Sequence, residues 1–390
     1  MTDSSDRQRV ADLAGDLVAF DTSNPPGNER ACAEFVVEWF RERGVDAELV
    51  EDPSPERAQA VARVGDGDPT LVLNGHTDVV PVDEPDAWTD DPFGGAVVDG
   101  DLTGRGSADM KAGLAVAMLA AVDLRDELES GGLAGSIVVH AAMGEETGDP
   151  GTKTLLEAGY GGDYGVVLEP TDFRVATSTK GLANYELTVE GESSHASRPD
   201  QGTSPIPTAR RLLEAIERYD DRLRERSDPL CGRAYATVTA FECGGDSNMG
   251  VLPGRATLVL DRRVLPAESL ADVDAEVESV VADAAADADC EVALERVQHY
   301  ASSSVPVDSD LAECLRDLSA DRVGAPTEPW GIEAATDARN FVNDAGVEAV
   351  TWGPGSLAQA HTVDERVAVD DAVAGLDVLE RAARRLLSPE

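Results

Sequence analysis

The spacing of apolar residues predicts a chain of helices and buried strands. Apolar positions recur at helical spacing over residues 8–20 and 29–43, and the turn-forming segment TSNPPGNE separates them. Continuous apolar runs, typical of strands covered on both faces, lie at 70–76, 135–143, 164–170 and 347–355. Helical patterns lie at 110–128, 152–159 and 370–387. This pattern favours an α/β fold with a mixed, mostly parallel sheet and helices on both faces.

The middle of the chain has a different order of elements. From residue 182, an alternating strand is followed by a helix, two strands, a second helix and a last strand. This βαββαβ order is that of an α+β, ferredoxin-like unit. Because the α/β pattern resumes afterwards, residues 178–297 are predicted to be a domain inserted into a larger one formed by residues 1–177 and 298–390.

Composition narrows the cellular setting. No run of about 18 apolar residues is present, so a membrane span is not expected. The polar first residues lack the apolar region of a secretory signal. The five cysteines are scattered and form no paired motif, which fits a reducing compartment. We therefore expect a cytoplasmic protein.

The charge of the chain excludes some partners. The formal charge is −44, and the only lysines are Lys111, Lys153 and Lys180. Such a surface repels nucleic acids and anionic membranes, so neither is expected to bind. An acidic, lysine-poor surface is typical of proteins from salt-accumulating cells, in which salt screens the repulsion. An acidic protein adapted to ordinary salt is the alternative, and the scarcity of lysine disfavours it.

Polar residues follow the apolar runs where the strands are expected to end. Ligands of open α/β sheets bind at the carboxyl ends of the strands, so these residues are expected to share one crevice. They are His76, Asp78, Asp109, Glu145, Glu146, Glu169 and His361. So many carboxylates in one site repel each other unless cations neutralise them. Two imidazoles and several carboxylates suit zinc, and five ligands suit two ions about 3.5–4 Å apart.

Some of these residues are close in sequence, and their spacing suggests a separate role for each. Asp78 lies on the same side of an extended segment as His76 and could orient its imidazole. Of the adjacent Glu145 and Glu146, one could bind metal while the other holds a proton of the attacking water. Each motif alone is common in polar turns, so only the whole set favours a metal centre. His140 and His299 lack such neighbours and are interpreted as structural.

Longer motifs resemble a known enzyme family. They include DTSNPPGNE, GHTDVVPV, LTGRGSADMKAG, GEET, LEPT, GESSHASRP, TDAR and GPGSLAQAHTVDE, and they span nearly the whole chain. In order and spacing they are similar to the dizinc amidohydrolases that include acetylornithine deacetylase, succinyl-diaminopimelate desuccinylase, aminoacylase and glutamate carboxypeptidase. The resemblance implies a zinc-peptidase-like catalytic domain, and an inserted lid domain through which many relatives form homodimers.

The resemblance also implies roles at the metal centre. Asp109 would bridge two Zn²⁺ ions, for which Co²⁺ or Mn²⁺ could substitute. The remaining ligands would be His76 and Glu169 at one ion, and Glu146 and His361 at the other. Asp78 would orient His76, and Glu145 would be the general base. The Asp109–Met110 bond is expected to be cis. Gly144 stands where relatives carry aspartate, and little change is expected from it.

Further residues are implied to contact the substrate. His195 of the lid would donate to the developing oxyanion, often across a subunit interface in relatives. Residues matching positions that hold a substrate carboxylate are Asn248, Arg263 and Arg339. Arginine suits this because its planar fork binds a carboxylate through two hydrogen bonds. Arg262 carries an equal charge, although the D-x-R pattern favours Arg263. Lys180 is another candidate in a chain that has so few lysines.

The implied reaction is hydrolysis of an amide in a small N-acyl amino acid, such as N-acetylornithine or N-succinyl-diaminopimelate of arginine or lysine biosynthesis. An exopeptidase acting on dipeptides or C-terminal residues is an alternative within the family. A metal-dependent binding protein without turnover is the alternative from another class. Glu145 disfavours it, because a binding protein needs no base beside five filled ligand positions.

Overall fold

The computed structural model describes residues 3–244 and 249–388, which form two compact units. The first unit holds the described residues up to Thr177, then Ser304–Gly331, and those from Thr336 onward. The second holds the described residues of Ser178–Ser303 together with Ile332–Ala335. The α-helices are α1 (Asp3–Val18), α2 (Arg30–Glu42), α3 (Ala112–Glu129), α4 (Gly151–Glu157), α5 (Ile206–Leu223), α6 (Leu270–Ala285), α7 (Asp310–Val323) and α8 (Val369–Leu386). Within the described ranges, none is long and apolar enough to cross a membrane.

The strands are mostly short. They are β1 (Asp46–Val50), β2 (Gln59–Val64), β3 (Thr70–His76), β4 (Ala96–Val98), β5 (Asp101–Thr103), β6 (Ser136–Ala142), β7 (Tyr164–Val167), β8 (Ala176–Thr179), β9 (Gly181–Glu190), β10 (Ser194–His195), β11 (Ser227–Asp228), β12 (Gly232–Arg233), β13 (Tyr235–Cys243), β14 (Val251–Leu252), β15 (Arg255–Val264), β16 (Glu291–Tyr300), β17 (Ser303–Ser304), β18 (Trp330–Ile332), β19 (Glu348–Thr351) and β20 (Arg366–Ala368).

A mixed sheet organises the first unit. Its strand order includes β1-β2-β6-β3-β7-β19, with β6, β3, β7 and β19 parallel and with β1 and β2 antiparallel at one side. Every residue of β3 and β6 is buried, as continuous apolar runs predict. Helix α3, which is apolar around most of its circumference, packs on both strands and on α1 and α8. The expected α/β class is therefore confirmed.

Parallel pairing brings the ends of three strands together. In the register of β3 and β6, His76 lies opposite Ala142, and Asn74 of β3 lies opposite Val167 of β7. The carboxyl ends of these strands therefore share one edge of the sheet, where the chain continues into loops. A separate three-stranded sheet, β20-β5-β4, pairs the segment before Asp109 with the segment after His361.

The second unit has its own sheet and its own core. All pairings in the order β13-β15-β9-β16 are antiparallel, and α5 and α6 pack against each other and against sheet strands. Alternate residues of β9 face the core, as period-two strands require: Ala183, Tyr185, Leu187 and Val189. Helix α5 contributes residues at helical spacing: Leu212, Ile216, Tyr219 and Leu223.

Candidate metal centre and active site

Asp109 lies between two histidines in the first unit. Its Oδ1 is 3.2 Å from Nε2 of His76, and its Oδ2 is 3.4 Å from Nε2 of His361. The carboxylate thus turns one oxygen to each imidazole. Asp109 belongs to a distorted helical turn, Ser107–Lys111, that precedes α3, and its bond to Met110 is cis, as the resemblance implies.

Two glutamates complete the cluster on opposite sides. Glu169 Oε1 lies 3.9 Å from Nε2 of His76, and Glu146 Oε2 lies 3.1 Å from Nε2 of His361. One potential ligand atom each from His76, Asp109 and Glu146 lie within 4.8 Å of one another. The structure therefore brings together all five residues that the sequence predicts as ligands.

The electrostatics of this cluster favour a bound positive charge. Hydrogen bonds to Asp109 and Glu146 raise the pKa of His361 to about 10. Burial alone lowers the pKa of His76, but the hydrogen bond to Asp109 and the neighbouring carboxylates raise it well above its ordinary value. Burial also raises the pKa of Glu169. The raised pKa values mean that the cluster retains protons, which offset the charge of its carboxylates. Zinc ions could supply that positive charge instead, because imidazole nitrogens and carboxylate oxygens are zinc ligands.

The imidazole of His76 is oriented by the backbone of Asp78. Its Nδ1 donates to the Asp78 carbonyl oxygen at 2.9 Å, which leaves Nε2 facing the carboxylates. The Asp78 carboxylate is farther away, with Oδ1 3.6 Å from Nδ1 of His76. It instead accepts the backbone N–H groups of Glu145 and Glu146, each at 3.2 Å. Asp78 therefore links the first histidine to the turn that carries both glutamates.

Asn24 is a contributor that the sequence analysis did not identify. Its side-chain amide is buried and donates to Asp78 Oδ2 at 2.9 Å and to Thr147 Oγ1 at 2.7 Å. It lies in the Asn-Pro-Pro-Gly turn before α2. The proline and glycine residues of the motif DTSNPPGNE predicted a turn here, but they gave no indication of a role for Asn24.

Glu145 is held in a largely buried position beside a cation. Its Oε1 is 3.5 Å from Nη1 of Arg339, and its side chain is 13% exposed. Burial, with the charge of Asp337 in addition, raises the pKa of Glu145 to about 8, while His76 and Arg339 oppose the rise. Arg339 Nη2 also lies 3.4 Å from Oδ1 of Asp337. Arg339 was predicted to hold a substrate carboxylate, and the structure places it against the predicted base.

Gly144 is required by the local packing. Its φ is +78°, and a Cβ added there would lie 2.4 Å from Cβ of Asp149. Asp149 itself accepts hydrogen bonds from Thr147 Oγ1 and from Nη1 of Arg57. A side chain at position 144 would therefore collide with the loop that follows the two glutamates.

The two adjacent arginines of β15 have different environments. Arg262 is fully buried, with Nε 3.0 Å from the Tyr219 hydroxyl and Nη2 2.7 Å from Oε1 of Glu268. Arg263 is one-third exposed and its Nε donates to Asp261 Oδ1 at 2.8 Å. Arg262 is thus engaged in the core of the second unit, which leaves Arg263 as the candidate for substrate binding, as the D-x-R pattern favours.

The other predicted substrate contacts also belong to the second unit or lie outside the described residues. Lys180 is buried, 3.2 Å from Glu333 Oε2 and 5.0 Å from the ring centroid of Tyr235. His195 is exposed on β10, and its Nδ1 accepts the backbone N–H of Ser197 at 3.1 Å. Because Nδ1 accepts this hydrogen bond, Nε2 is the ring nitrogen that can donate one. Asn248 lies outside the described residues.

The two histidines interpreted as structural lie outside this cluster. His140, buried in β6, donates from Nε2 to the carbonyl oxygen of Tyr160 at 2.9 Å. Burial lowers its pKa to about 4, so the ring is neutral near pH 7. His299 is exposed on β16 in the second unit.

Comparisons with known proteins agree with the motifs and the site. Residues 72–385 match the profile of peptidase family M20/M25/M40. The chain is 31% identical to acetylornithine deacetylase of Myxococcus xanthus over 94% of both chains. It is 26% identical to the probable succinyl-diaminopimelate desuccinylase of Staphylococcus aureus strain N315 over 99% of both. Its fold resembles an M20 family metallo-carboxypeptidase from Sulfolobus solfataricus, with a TM-score of 0.80 and 18% identity over 95% of this chain and 97% of that one. The chain therefore belongs to peptidase family M20/M25/M40, a family of metal-dependent hydrolases.

Proposed function

We propose that the protein is a dizinc amidohydrolase that removes the acyl group from an N-acyl amino acid. The observation that carries the proposal is Asp109, whose two carboxylate oxygens face His76 and His361 separately, at 3.2 and 3.4 Å. This arrangement suits two cations that share one carboxylate. The similarity to acetylornithine deacetylase and to succinyl-diaminopimelate desuccinylase supports N-acetylornithine or N-succinyl-diaminopimelate as the substrate.

The five ligands divide into two groups around Asp109. His76 and Glu169 would complete one zinc site, and Glu146 and His361 would complete the other; Co²⁺ or Mn²⁺ could replace zinc. When bound, the ions would supply Lewis acidity that polarises the amide carbonyl and acidifies water. Asp78 would keep Nε2 of His76 directed at its ion through the backbone hydrogen bond to Nδ1.

Glu145 would move the protons of the reaction. It would take a proton from the attacking water on a carboxylate oxygen and later deliver it to the leaving amine. Burial raises the pKa of Glu145 above the ordinary value of a glutamate, which makes its carboxylate a stronger base. Arg339 at 3.5 Å would restrict the position of this carboxylate.

Substrate recognition follows from the family resemblance. His195 would donate from Nε2 to the oxyanion that develops on the carbonyl oxygen. Asn248, Arg263, Arg339 and Lys180 stay predicted contacts of the substrate. Of these, Arg263 combines partial exposure with a planar guanidinium, which is suited to a carboxylate.

A substrate screen tests the proposal. The purified chain would be loaded with Zn²⁺, Co²⁺ or Mn²⁺ in concentrated salt and assayed for amine release from N-acetylornithine, N-succinyl-diaminopimelate and dipeptides. We expect turnover of an N-acyl amino acid. Preferential cleavage of dipeptides would favour the exopeptidase alternative. Bound metal without turnover of any of these amides would contradict the proposal and favour a binding protein.

We also propose a homodimer formed through the second unit. Strands β13 and β16 are the edges of its four-stranded sheet, and unpaired edges can add a strand from another copy. Phe241 on β13 is 47% exposed, which gives this edge an apolar contact. Light scattering after size exclusion should show a dimer that Phe241→Glu dissociates. Val323→Glu, at an exposed valine of α7 in the first unit, is the matched control, and a monomeric wild type would contradict the proposal.

A further inference from the structure

The loop that carries Asp109 follows strand β5, and the loop that carries His361 leads into its neighbour β20. Strand β5 ends at Thr103, six residues before Asp109, and Thr103 pairs with Arg366, the first residue of β20. Glu365 immediately precedes β20, in the segment that follows His361. Its carbonyl oxygen accepts the backbone N–H of Gly104 at 3.0 Å, so the pairing extends past the end of the strands.

The side chain of Glu365 accepts hydrogen bonds from the backbone of Asp109 and of the residue before it. Its Oε1 accepts the N–H of Ala108 at 2.9 Å and the N–H of Asp109 at 3.0 Å. The side chain is 1% exposed, so these bonds are shielded from water. Hydrogen bonds to an ionised acceptor are stronger than bonds between neutral groups, and a shielded pair of them fixes the backbone it contacts.

Arg105 holds the other oxygen of Glu365. Nη1 of Arg105 lies 2.8 Å from Oε2 of Glu365 and 3.2 Å from the carbonyl oxygen of Thr362, next to His361. Its guanidinium carbon lies 5.2 Å from the ring centroid of Trp88, a cation–π contact. Arg105 comes from the Asp109 loop and Thr362 from the His361 loop, so the ion pair joins the two loops directly.

The His361 loop contains two residues in an uncommon backbone conformation. His361 has φ +63° and Asp364 has φ +56°, a left-handed region that residues other than glycine adopt in a small minority of cases. The position of Asp364 is also fixed by hydrogen bonds, because its carboxylate accepts the backbone N–H and the hydroxyl of Thr89, both at 2.8 Å. Contacts at Glu365 and Asp364 therefore hold the backbone on the C-terminal side of His361.

We propose that Glu365, neutralised by Arg105, is a positioning residue that fixes Asp109 relative to His361 and thereby sets the affinity of the metal centre. Glu365 contacts neither imidazole and is not one of the five ligands. It acts through the amides of Ala108 and Asp109. This inference rests on the proposed metal centre and assigns it a residue outside the ligand set. Groups that orient metal ligands change metal affinity by about 10–100-fold when they are removed.

Glu365→Ala and Glu365→Gln test the inference by metal binding. In Glu365→Gln the amide oxygen can still accept both backbone N–H groups, while its NH₂ cannot pair with Arg105. The matched control is Glu268→Gln, which removes the partner of the fully buried Arg262 in the second unit, with Nη2 of Arg262 2.7 Å from Oε1 of Glu268. It carries the same chemical change at a buried ion pair remote in sequence from every ligand.

Each protein would be stripped with a chelator and titrated with Co²⁺ in concentrated salt, by calorimetry and by the visible absorption of bound Co²⁺. We expect Glu365→Ala to weaken Co²⁺ binding by at least about tenfold and to alter the spectrum at saturation. Glu365→Gln should lie between Glu365→Ala and wild type, and Glu268→Gln should match wild type. If Glu365→Ala does not fold, Glu365→Gln decides the question.

Two outcomes would overturn the inference, and they differ. If the Glu365 variants bound Co²⁺ with wild-type affinity, stoichiometry and spectrum, Glu365 would have a structural role only, and the metal centre itself would stand. If the wild-type chain bound no Co²⁺, the proposed metal centre would fall, and the inference with it.

Discussion

The carboxylate of Asp78 accepts the backbone N–H of Glu145 at 3.2 Å. It accepts the N–H of Glu146 at the same distance and the side-chain amide of Asn24 at 2.9 Å. A buried anion that is not itself a predicted ligand therefore fixes the turn that presents both a predicted base and a predicted ligand. The position of that turn should depend on Asn24, although Asn24 touches neither glutamate side chain.

Asn24→Ala should reduce turnover more than substrate binding. The substitution removes the donor to Asp78 and frees that carboxylate to shift, so Glu145 would be held less accurately while the substrate contacts remain. We expect kcat to fall by about 10–100-fold, with KM changed much less. Steady-state kinetics on the best acyl amino acid would check this, with Ser23→Ala in the same turn as the control. A change confined to KM would contradict it.

Glu145→Ala should separate metal binding from catalysis. The substitution removes the proposed acceptor of the water proton, and we expect kcat to fall by about 10²–10⁴-fold while the metal content stays that of the wild type. Metal analysis and kinetics of the same preparation would show this. Glu157→Ala, at the end of α4, is the control and should retain wild-type activity. Retained turnover in Glu145→Ala would remove Glu145 as the base.

His76→Ala should lower the metal content of the purified protein. The change removes the imidazole that faces Oδ1 of Asp109, so the variant should retain less metal than the wild type. His299→Ala, at an exposed histidine of the second unit, should keep the wild-type content. Inductively coupled plasma spectrometry after extensive dialysis gives the ratio. Equal metal content in the two variants would argue against His76 as a ligand.

His140 should make the protein less stable in mild acid. Burial lowers its pKa from 6.5 to about 4, so between these values the unfolded chain binds a proton that the folded chain excludes. This histidine therefore destabilises the fold progressively as the pH falls below 6.5, by up to about 1.4 kcal/mol per pH unit. His140→Gln should show a shallower fall of unfolding free energy, measured by urea denaturation. Identical slopes would contradict the assignment.

Low salt should unfold the protein. The chain has 76 acidic residues and 32 lysines and arginines, a formal charge of −44, and salt screens the resulting repulsion. We expect the helical circular dichroism signal to be lost on dialysis into dilute buffer and recovered in concentrated salt. A full helical signal in dilute buffer would show that the acidic surface does not require salt.

The local pattern of apolar residues was sufficient to predict the central strands of the first unit. The run predicted as a strand at 70–76 is strand Thr70–His76, and the run at 135–143 contains strand Ser136–Ala142. Buried parallel strands are continuous apolar runs, so the signal is contained in the strand itself. The three-residue strands β4, β5 and β20 were not predicted, because so few residues carry no readable period.

By itself, the sequence determined whether each main element is a helix or a strand, because the local apolar pattern carries that information. Its motifs also identified a set of residues whose chemistry suits metal binding and amide hydrolysis. The tertiary structure decided which atoms meet. It showed that the carbonyl of Asp78 orients His76, that Arg339 lies against Glu145, and that Glu365 binds the amide of Asp109 from 256 residues away. It also distinguished Arg262 from Arg263, because adjacent residues of a strand point to opposite faces and only packing shows which face is inside. Contacts between segments so far apart in the chain produce no periodic pattern in the sequence, so only the tertiary structure shows them.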